Sequence, residues 1–148
     1  MMGDPSMSMD ENGFQITVSN KIENLPGIAQ FISDALQKLG MPEEKIFDIN
    51  VAVDEACTNI IQNAYSPDEE GTIQIRCEAL NGNKCAVLIK DHGKPFDQTR
   101  PVTVDTTSSL EERKPGGLGL FFIRELVDEI YYEYKDGYET LTMVKLMS

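Results

Sequence analysis

A carboxylate and a carboxamide stand one helical turn apart in the segment VAVDEACTNIIQNAY, which covers residues 51–65. Glu55 and Asn59 are four residues apart, so in a helix their side chains project from the same face. A glutamate can accept a proton, and an asparagine offers an uncharged oxygen to a hard cation. The pair is therefore suited to proton transfer beside a bound metal ion. The alternative interpretation is a helix face that is simply exposed to solvent, and the pair alone does not decide between the two.

A second polar element follows an apolar strand, in the segment KDHGKPFD at residues 90–97. Asp91 can accept a hydrogen bond from an exocyclic amine, and Gly93 lets the backbone approach a flat base. The alternative is an ordinary strand-end turn, where Asp and Gly are both common. His92 is the single histidine of the chain, and we interpret it as a loop residue without a catalytic role.

A third element is the glycine-rich segment KPGGLGLFFI at residues 114–123. Its glycines stand at the mouth of a predicted helix, where free backbone N–H groups and the positive end of the helix dipole can hold phosphate. Helices also begin with glycine when no ligand binds there, so this element is weak when taken by itself.

Hydrophobic periodicity predicts the elements that must position these residues. A helix is expected over residues 24–40, and a second one from Pro42 to Tyr65. The second helix has an apolar stripe made of Ile46, Ile49, Val53, Cys57, Ile60 and Ala64. Strands are expected at 14–19, 71–80, 83–91, 130–135 and 138–147, with turns at 81–83 and 136–137, and a third helix at 116–130. This order predicts an α+β two-layer sandwich, whose mixed, mostly antiparallel sheet has the helices on one face. We expect residues 1–12 to form a flexible tail and residues 13–148 to form one domain.

Composition limits the classes of partner. The 148 residues carry a formal net charge of −12, which argues against duplex nucleic acid and against an anionic membrane surface. We find neither an apolar run long enough for a membrane span nor the apolar core of a signal peptide. The three cysteines lie in apolar segments without metal-ligand spacing, so buried free thiols and a cytoplasmic location are expected.

Taken in this order, the three polar elements resemble the N, G1 and G2 boxes of the ATPase superfamily that includes gyrase, the heat-shock chaperone, histidine kinases and the mismatch-repair protein. The segments VAVDEACTNIIQNAY, DHGKPFD and GGLGLFFIRELVDEI are most similar to those of the small anti-sigma-factor serine protein kinases. The resemblance covers residues 14–148 and implies a Bergerat-type ATPase fold that binds ATP and Mg²⁺.

The resemblance also implies roles for the residues of the first two elements. Glu55 matches the general base that activates the hydroxyl group of a protein serine or threonine. Asn59 matches the ligand of the Mg²⁺ ion that bridges the ATP phosphates. Asp91 matches the acidic residue that accepts from the adenine amine, and Gly93 matches the glycine beside the ring.

Further roles fall on the later segments. Gly117 and Gly119 match the glycines whose backbone lines the triphosphate, and Arg113 is similar to a lid arginine that reaches the terminal phosphate. A threonine of the last strand often helps to hold adenine in this family, and we expect Thr142 rather than Thr140 to do so. The long segment 94–115 is expected to close as a lid over the nucleotide.

By resemblance, the predicted function is an ATP-dependent serine/threonine protein kinase that phosphorylates a small anti-anti-sigma-like protein. A sigma factor is the possible competing partner, and a homodimer is expected. A sensor histidine kinase is disfavoured because His92 lies in a turn rather than on a dimerisation helix. The serious alternative is a non-catalytic, nucleotide-gated binder of a partner protein, which has no need for a base at Glu55.

Overall fold

The computed structural model describes residues 6–9, 13–66, 68–93 and 123–148. Six strands and two long helices make up this part of the chain, and residues 123–126 form a further helical turn. In chain order, the elements are β1 (Ser6–Met9), β2 (Gly13–Ser19), a 3₁₀ turn (Ile22–Asn24), α1 (Leu25–Lys38), α2 (Glu43–Asn59), a π-helical turn (Ile60–Ala64), β3 (Thr72–Leu80), β4 (Lys84–Asp91), β5 (Glu129–Lys135) and β6 (Tyr138–Leu146).

The strands form one sheet in the order β1-β2-β3-β4-β6-β5, and every described pair is antiparallel. Side chains alternate between its two faces. On β3, for example, Ile73, Ile75 and Cys77 are fully buried, and the residues between them are half-buried. The buried face joins a single core with α1 and α2. The predicted α+β layering, with helices on one face of a mostly antiparallel sheet, is confirmed.

Helix α2 forms because its polar and apolar residues follow the helical period. Pro42 precedes its first turn, and Glu43 and Glu44 lie in that turn, where their charges favour the positive end of the helix dipole. The predicted apolar stripe is confirmed, since all six of its members are buried. After Asn59 the helix widens into the π-helical turn, a feature that often accompanies functional sites.

Both predicted hairpin turns are confirmed. The β3–β4 register pairs Leu80 with Lys84, so residues 81–83 form the predicted three-residue loop, with positive φ at Gly82 and Asn83. The β5–β6 turn has positive φ at both Asp136 and Gly137, the combination that the common two-residue hairpin turn requires.

Two predictions of element boundaries are wrong. Residues 1–12 were expected to be a tail, but Ser6–Met9 pairs with the edge of β2; four residues are too few to show a hydrophobic period, yet they can pair with an open strand edge. The third helix was expected to continue to Ile130, but β5 begins at Glu129. The Asp128 N–H donates to the Val144 carbonyl at 2.9 Å, so the chain has already joined the sheet there.

All three cysteines are free and buried, as expected. No helix in the described ranges combines the length and the apolar character that crossing a membrane requires.

Because the core lies on one face of the sheet, neighbouring residues of β4 should differ sharply in their contribution to stability. Ile89 is fully buried and Leu88 is half-buried on the other face. We expect Ile89→Ala to lower the free energy of unfolding by about 2–5 kcal/mol, measured by urea denaturation. Leu88→Ala serves as the matched control and should cost clearly less. Equal losses would contradict the one-sided core.

Candidate functional site

Glu55 and Asn59 lie on a flank of α2 beside its buried stripe, and both are half-buried. Asn59 is the last residue of α2 before the π-helical turn. Because the opposite side of the helix is anchored in the core, the backbone beneath both residues is held in place. The predicted placement of this carboxylate and this amide on one rigid face is therefore confirmed.

A second amide orients the side chain of Asn59. The Asn63 Nδ2 group donates a hydrogen bond to Asn59 Oδ1 at 2.7 Å. A carbonyl oxygen has two lone pairs, so Asn59 Oδ1 can accept this bond and still offer an electron pair to a cation. Sequence reasoning missed Asn63, although its spacing of four residues from Asn59 was a visible signal.

Asp91 is the last residue of β4 and is 2% exposed. Its Oδ1 accepts a hydrogen bond from the Gly93 N–H at 3.0 Å, which closes a tight turn and leaves Oδ2 without a bond from the described residues. Burial raises the pKa of the Asp91 carboxyl, and the bond from Gly93 acts in the opposite direction. The result is a buried carboxyl group with one oxygen that accepts no hydrogen bond from the described residues.

The Asp91 carboxylate also lies close to α2, as the thiol of Cys57 shows. Burial, together with the nearby charges of Asp54 and Asp91, raises the pKa of Cys57 to about 12. Cys57 belongs to the stripe of α2 that faces the sheet. Asp91 therefore sits on the helix side of the sheet, as do Glu55 and Asn59.

Gly93 packs directly against the end of the π-helical turn. A Cβ atom on Gly93 would lie 2.5 Å from the carbonyl oxygen of Ala64 and 2.9 Å from its Cβ, closer than atoms can approach. The packing of the protein itself therefore requires glycine here. This contact joins the helix that carries Glu55 and Asn59 to the turn that carries Asp91.

Tyr65 secures the same turn from the other side. Its hydroxyl accepts a hydrogen bond from the His92 N–H at 3.1 Å and donates one to the Thr72 carbonyl at 2.9 Å. The His92 ring lies edge-on between the rings of Tyr65 and Tyr138, with centroids 5.5 and 5.9 Å away. His92 is thus an exposed turn residue whose ring contacts two aromatic rings. Sequence reasoning did not assign a role to Tyr65.

The register of β6 corrects one predicted contact. Asp91 pairs with Glu139, and Thr142 pairs with Leu88. Because side chains alternate along a strand, Thr142 and Thr140 point to the sheet face opposite Asp91. The prediction that Thr142 helps to hold the ligand of Asp91 is therefore wrong.

Glu139 is the residue of β6 that stands beside Asp91 on the helix side. It is 6% exposed, and its charge is the second cause, after burial, of the raised pKa of Tyr132. No local pattern distinguishes Glu139, because an acidic residue next to a turn resembles an ordinary exposed charge. Arg113, Gly117, Gly119 and the predicted lid at 94–115 lie outside the described residues.

Comparison with known proteins shows that this is an ATPase-type domain. The family described as "Histidine kinase-like ATPase domain" matches residues 18–145. The chain belongs to this family, and the predicted resemblance is confirmed.

Among the curated relatives, several are named "Serine-protein kinase RsbW". The protein of Halalkalibacterium halodurans is 31% identical over 137 residues, which cover 90% of this chain and 82% of that protein. The protein of Staphylococcus aureus strain MSSA476 is 31% identical over 144 residues, which cover 94% and 89%. The protein of Bacillus subtilis is 31% identical over 123 residues, which cover 79% and 74%.

Solved structures show the same fold. The crystal structure of the RsbU and RsbW domains of a Mycobacterium tuberculosis protein matches with a TM-score of 0.64 at 17% identity, covering 90% of this chain and 32% of that chain. The histidine kinase domain of a blue-light activated histidine kinase from Erythrobacter litoralis matches with a TM-score of 0.54 at 20% identity, covering 84% and 60%.

The raised pKa of Asp91 predicts a pH-dependent cost to folding. A carboxyl whose pKa is raised in the folded state binds its proton more tightly there, so stability is lost as the pH rises above the unfolded value of 3.8 through the folded value. Asp91→Asn retains an acceptor for the Gly93 N–H and removes the buried charge. We expect the free energy of unfolding of Asp91→Asn to exceed that of the unaltered protein most near pH 7, and the difference to shrink below about pH 4. Urea denaturation across this pH range measures the difference. A pH-independent difference would contradict the assignment.

The Tyr65 hydroxyl should contribute to stability through its two backbone partners. We expect Tyr65→Phe to lower the free energy of unfolding by about 1–3 kcal/mol, because it leaves the His92 N–H and the Thr72 carbonyl without this partner. Tyr134→Phe is the matched control: Tyr134 is 52% exposed on β5, and the change should stay within about 0.5 kcal/mol. An equal effect of both variants would contradict the role of the Tyr65 bridge.

Proposed function

We propose that this chain is an ATP-dependent serine/threonine protein kinase that acts as an anti-sigma-factor-like, partner-switching regulator. The observation that carries the proposal is the contact of Gly93 with Ala64. It holds the turn that follows Asp91 against the helical segment that follows Glu55 and Asn59. The relatives named as serine-protein kinases support the reaction type.

Asp91 is proposed to select the base of the nucleotide. Its Oδ1 is used by the Gly93 N–H, so Oδ2 is the oxygen for the adenine amine. Guanine presents a carbonyl at that position, and two acceptors facing each other would leave buried polar atoms without partners. We therefore expect ATP to bind more tightly than GTP. Glu139, at the neighbouring position of β6, adds a second negative charge at this end of the site.

Asn59 is proposed to hold Mg²⁺, and its surroundings fit that role. Mg²⁺ is usually bound by one or two protein ligands together with phosphate oxygens and water, and the Asn59 oxygen has an electron pair left after accepting from Asn63 Nδ2. When bound, the ion neutralises charge on the phosphates. Asn63 holds the amide of Asn59 in one orientation, which lowers the entropic cost of binding.

Glu55 is proposed to act as the general base. Its helix is fixed by the core, and the side chain is half-buried, so a substrate hydroxyl can reach it from solvent. Glu55 would accept the proton of the serine or threonine hydroxyl while that oxygen attacks the terminal phosphorus of ATP; the bond from that phosphorus to the bridging oxygen breaks, and ADP leaves. Positioning of this kind supplies most of the catalysis in phosphoryl transfer.

The remaining roles belong to the same proposal. Gly117 and Gly119 would line the triphosphate, Arg113 would reach the terminal phosphate, and the segment 94–115 would close over the nucleotide. The proposed protein substrate is a small anti-anti-sigma-like domain, with a sigma factor as the competing partner. A homodimer and a cytoplasmic location complete the proposal.

Two substitutions on α2 should separate the proton acceptor from the metal ligand. Glu55→Gln keeps the shape of the side chain and removes the base, so transfer should slow by about 10²–10⁴-fold with Mg-ATP affinity retained. Asn59→Ala should weaken both Mg-dependent ATP binding and transfer. Calorimetry measures the first quantity, and radiolabelled phosphate transfer to the partner captured from the native cytoplasm measures the second.

The control is Glu133→Gln, an exposed carboxylate on β5, which should change neither quantity. Transfer at the unaltered rate by Glu55→Gln would show that Glu55 is not the base. A protein that binds both Mg-ATP and its partner without transferring phosphate would instead be a nucleotide-gated binder.

A further inference from the structure

Two large apolar side chains lie exposed on α2. Phe47 is 68% exposed and Val51 is 37% exposed. They are four residues apart, and Glu55 follows at the same interval, so the three residues run along one side of the helix. We refer to Phe47 and Val51 as the α2 ridge.

The core of the protein does not explain the α2 ridge. Helix α2 already buries a complete stripe against the sheet and α1, which includes Ile46, Ile49 and Val53. Exposed phenylalanine is unfavourable in water unless something covers it. The α2 ridge is therefore available for an intermolecular contact.

The α2 ridge lies within about two helical turns of Glu55, the proposed base. With a rise of about 1.5 Å per residue, Val51 lies about 6 Å and Phe47 about 12 Å from Glu55 along the axis. A folded protein that delivers a hydroxyl group to Glu55 extends well beyond that distance. A partner whose surface extends from Glu55 toward the N-terminal end of α2 passes over Val51 and Phe47.

The charges around the α2 ridge indicate the chemistry of its partner. Glu43, Glu44 and Asp54 are all exposed on this helix, and Lys45 lies on another flank, two residues before Phe47. The whole chain carries a net charge of −12. A second copy of the chain would bring like charges together, whereas a partner with lysine or arginine around an apolar contact would match the surface.

We infer that the α2 ridge is the docking surface for the phosphoacceptor protein. The inference rests on the proposed kinase function and deepens it. The acceptor presents an apolar side chain flanked by basic residues, and its reactive serine or threonine lies about one to two helical turns away, at Glu55. The α2 ridge sets affinity for the protein substrate, and Glu55 sets the rate of the chemical step.

Steady-state phosphorylation of the purified acceptor protein, identified by phosphosite mapping, tests the inference. We expect Phe47→Ala and Val51→Ser each to raise KM for the acceptor by about tenfold or more, with kcat at saturating acceptor retained. The matched controls lie on the opposite face of the sheet: Tyr131→Ala for the aromatic residue, at 54% exposure, and Leu80→Ser for the aliphatic one, at 38% exposure. Both controls should leave KM unchanged.

A charge substitution gives an independent test that leaves the apolar residues in place. Glu44→Lys should raise KM for the acceptor, and the increase should shrink at high salt. Glu133→Lys makes the same change of charge on β5 and should have no effect.

The outcomes distinguish the inference from the function on which it rests. Phosphate transfer with an unchanged KM in Phe47→Ala, Val51→Ser and Glu44→Lys would overturn the docking surface and leave the kinase intact. A shift of Phe47→Ala to a smaller species in sedimentation, with an unchanged KM, would assign the α2 ridge to a second copy and also overturn the inference. Failure of the unaltered protein to transfer phosphate would overturn the proposed function itself.

Discussion

The close packing of Gly93 against Ala64 is the contact on which the site depends. Sheet and helices meet at many apolar contacts, but this one joins the chain segment that carries Glu55 and Asn59 to the one that carries Asp91. A Cβ atom at position 93 would lie 2.5 Å from the Ala64 carbonyl oxygen, so the turn would have to move away from the helix and Asp91 would move with it. Tyr65 holds the turn from the opposite direction, through the backbone of His92 and Thr72. Glycine, tyrosine and the π-helical turn therefore act together as one joint between the two layers.

Regular elements carry two of the candidate site residues. Asn59 is the last residue of α2 and Asp91 is the last residue of β4, and the turn at Gly93 holds the end of the strand against the helix. This arrangement lowers the stability of the folded protein, because burial raises the pKa of the Asp91 carboxyl and so disfavours its charged form. A site that keeps such a charge in place sacrifices some stability for recognition, as sites with buried acceptors commonly do.

Local patterns were sufficient to predict much of this architecture. The stripe from Ile46 to Ala64 follows the helical period, and the turns at Gly82 and Gly137 carry residues that tolerate positive φ. The pairing of β4 with β6 is different, because residues far apart in sequence set its register. A shift of one residue reverses the face of every side chain, so no local pattern shows that Glu139, rather than a threonine of the last strand, stands beside Asp91. The hydroxyl partners of Tyr65 and the strand at Ser6–Met9 were missed for a similar reason. Both depend on contacts between distant residues, which hydrophobic periodicity along the chain does not show.

The buried thiol of Cys57 beneath Asp91 has a practical consequence. Cys57, Cys77 and Cys85 are all buried, so a thiol reagent reaches them only when the structure opens. Cys57 lies at the helix-to-sheet boundary of the site, and its rate of alkylation reports how often that boundary opens. The alkylation rate of Cys57 therefore measures how often the candidate site opens in the unaltered protein. A thiol-reactive fluorophore would label a cysteine introduced on the surface first, because the three natural thiols are buried.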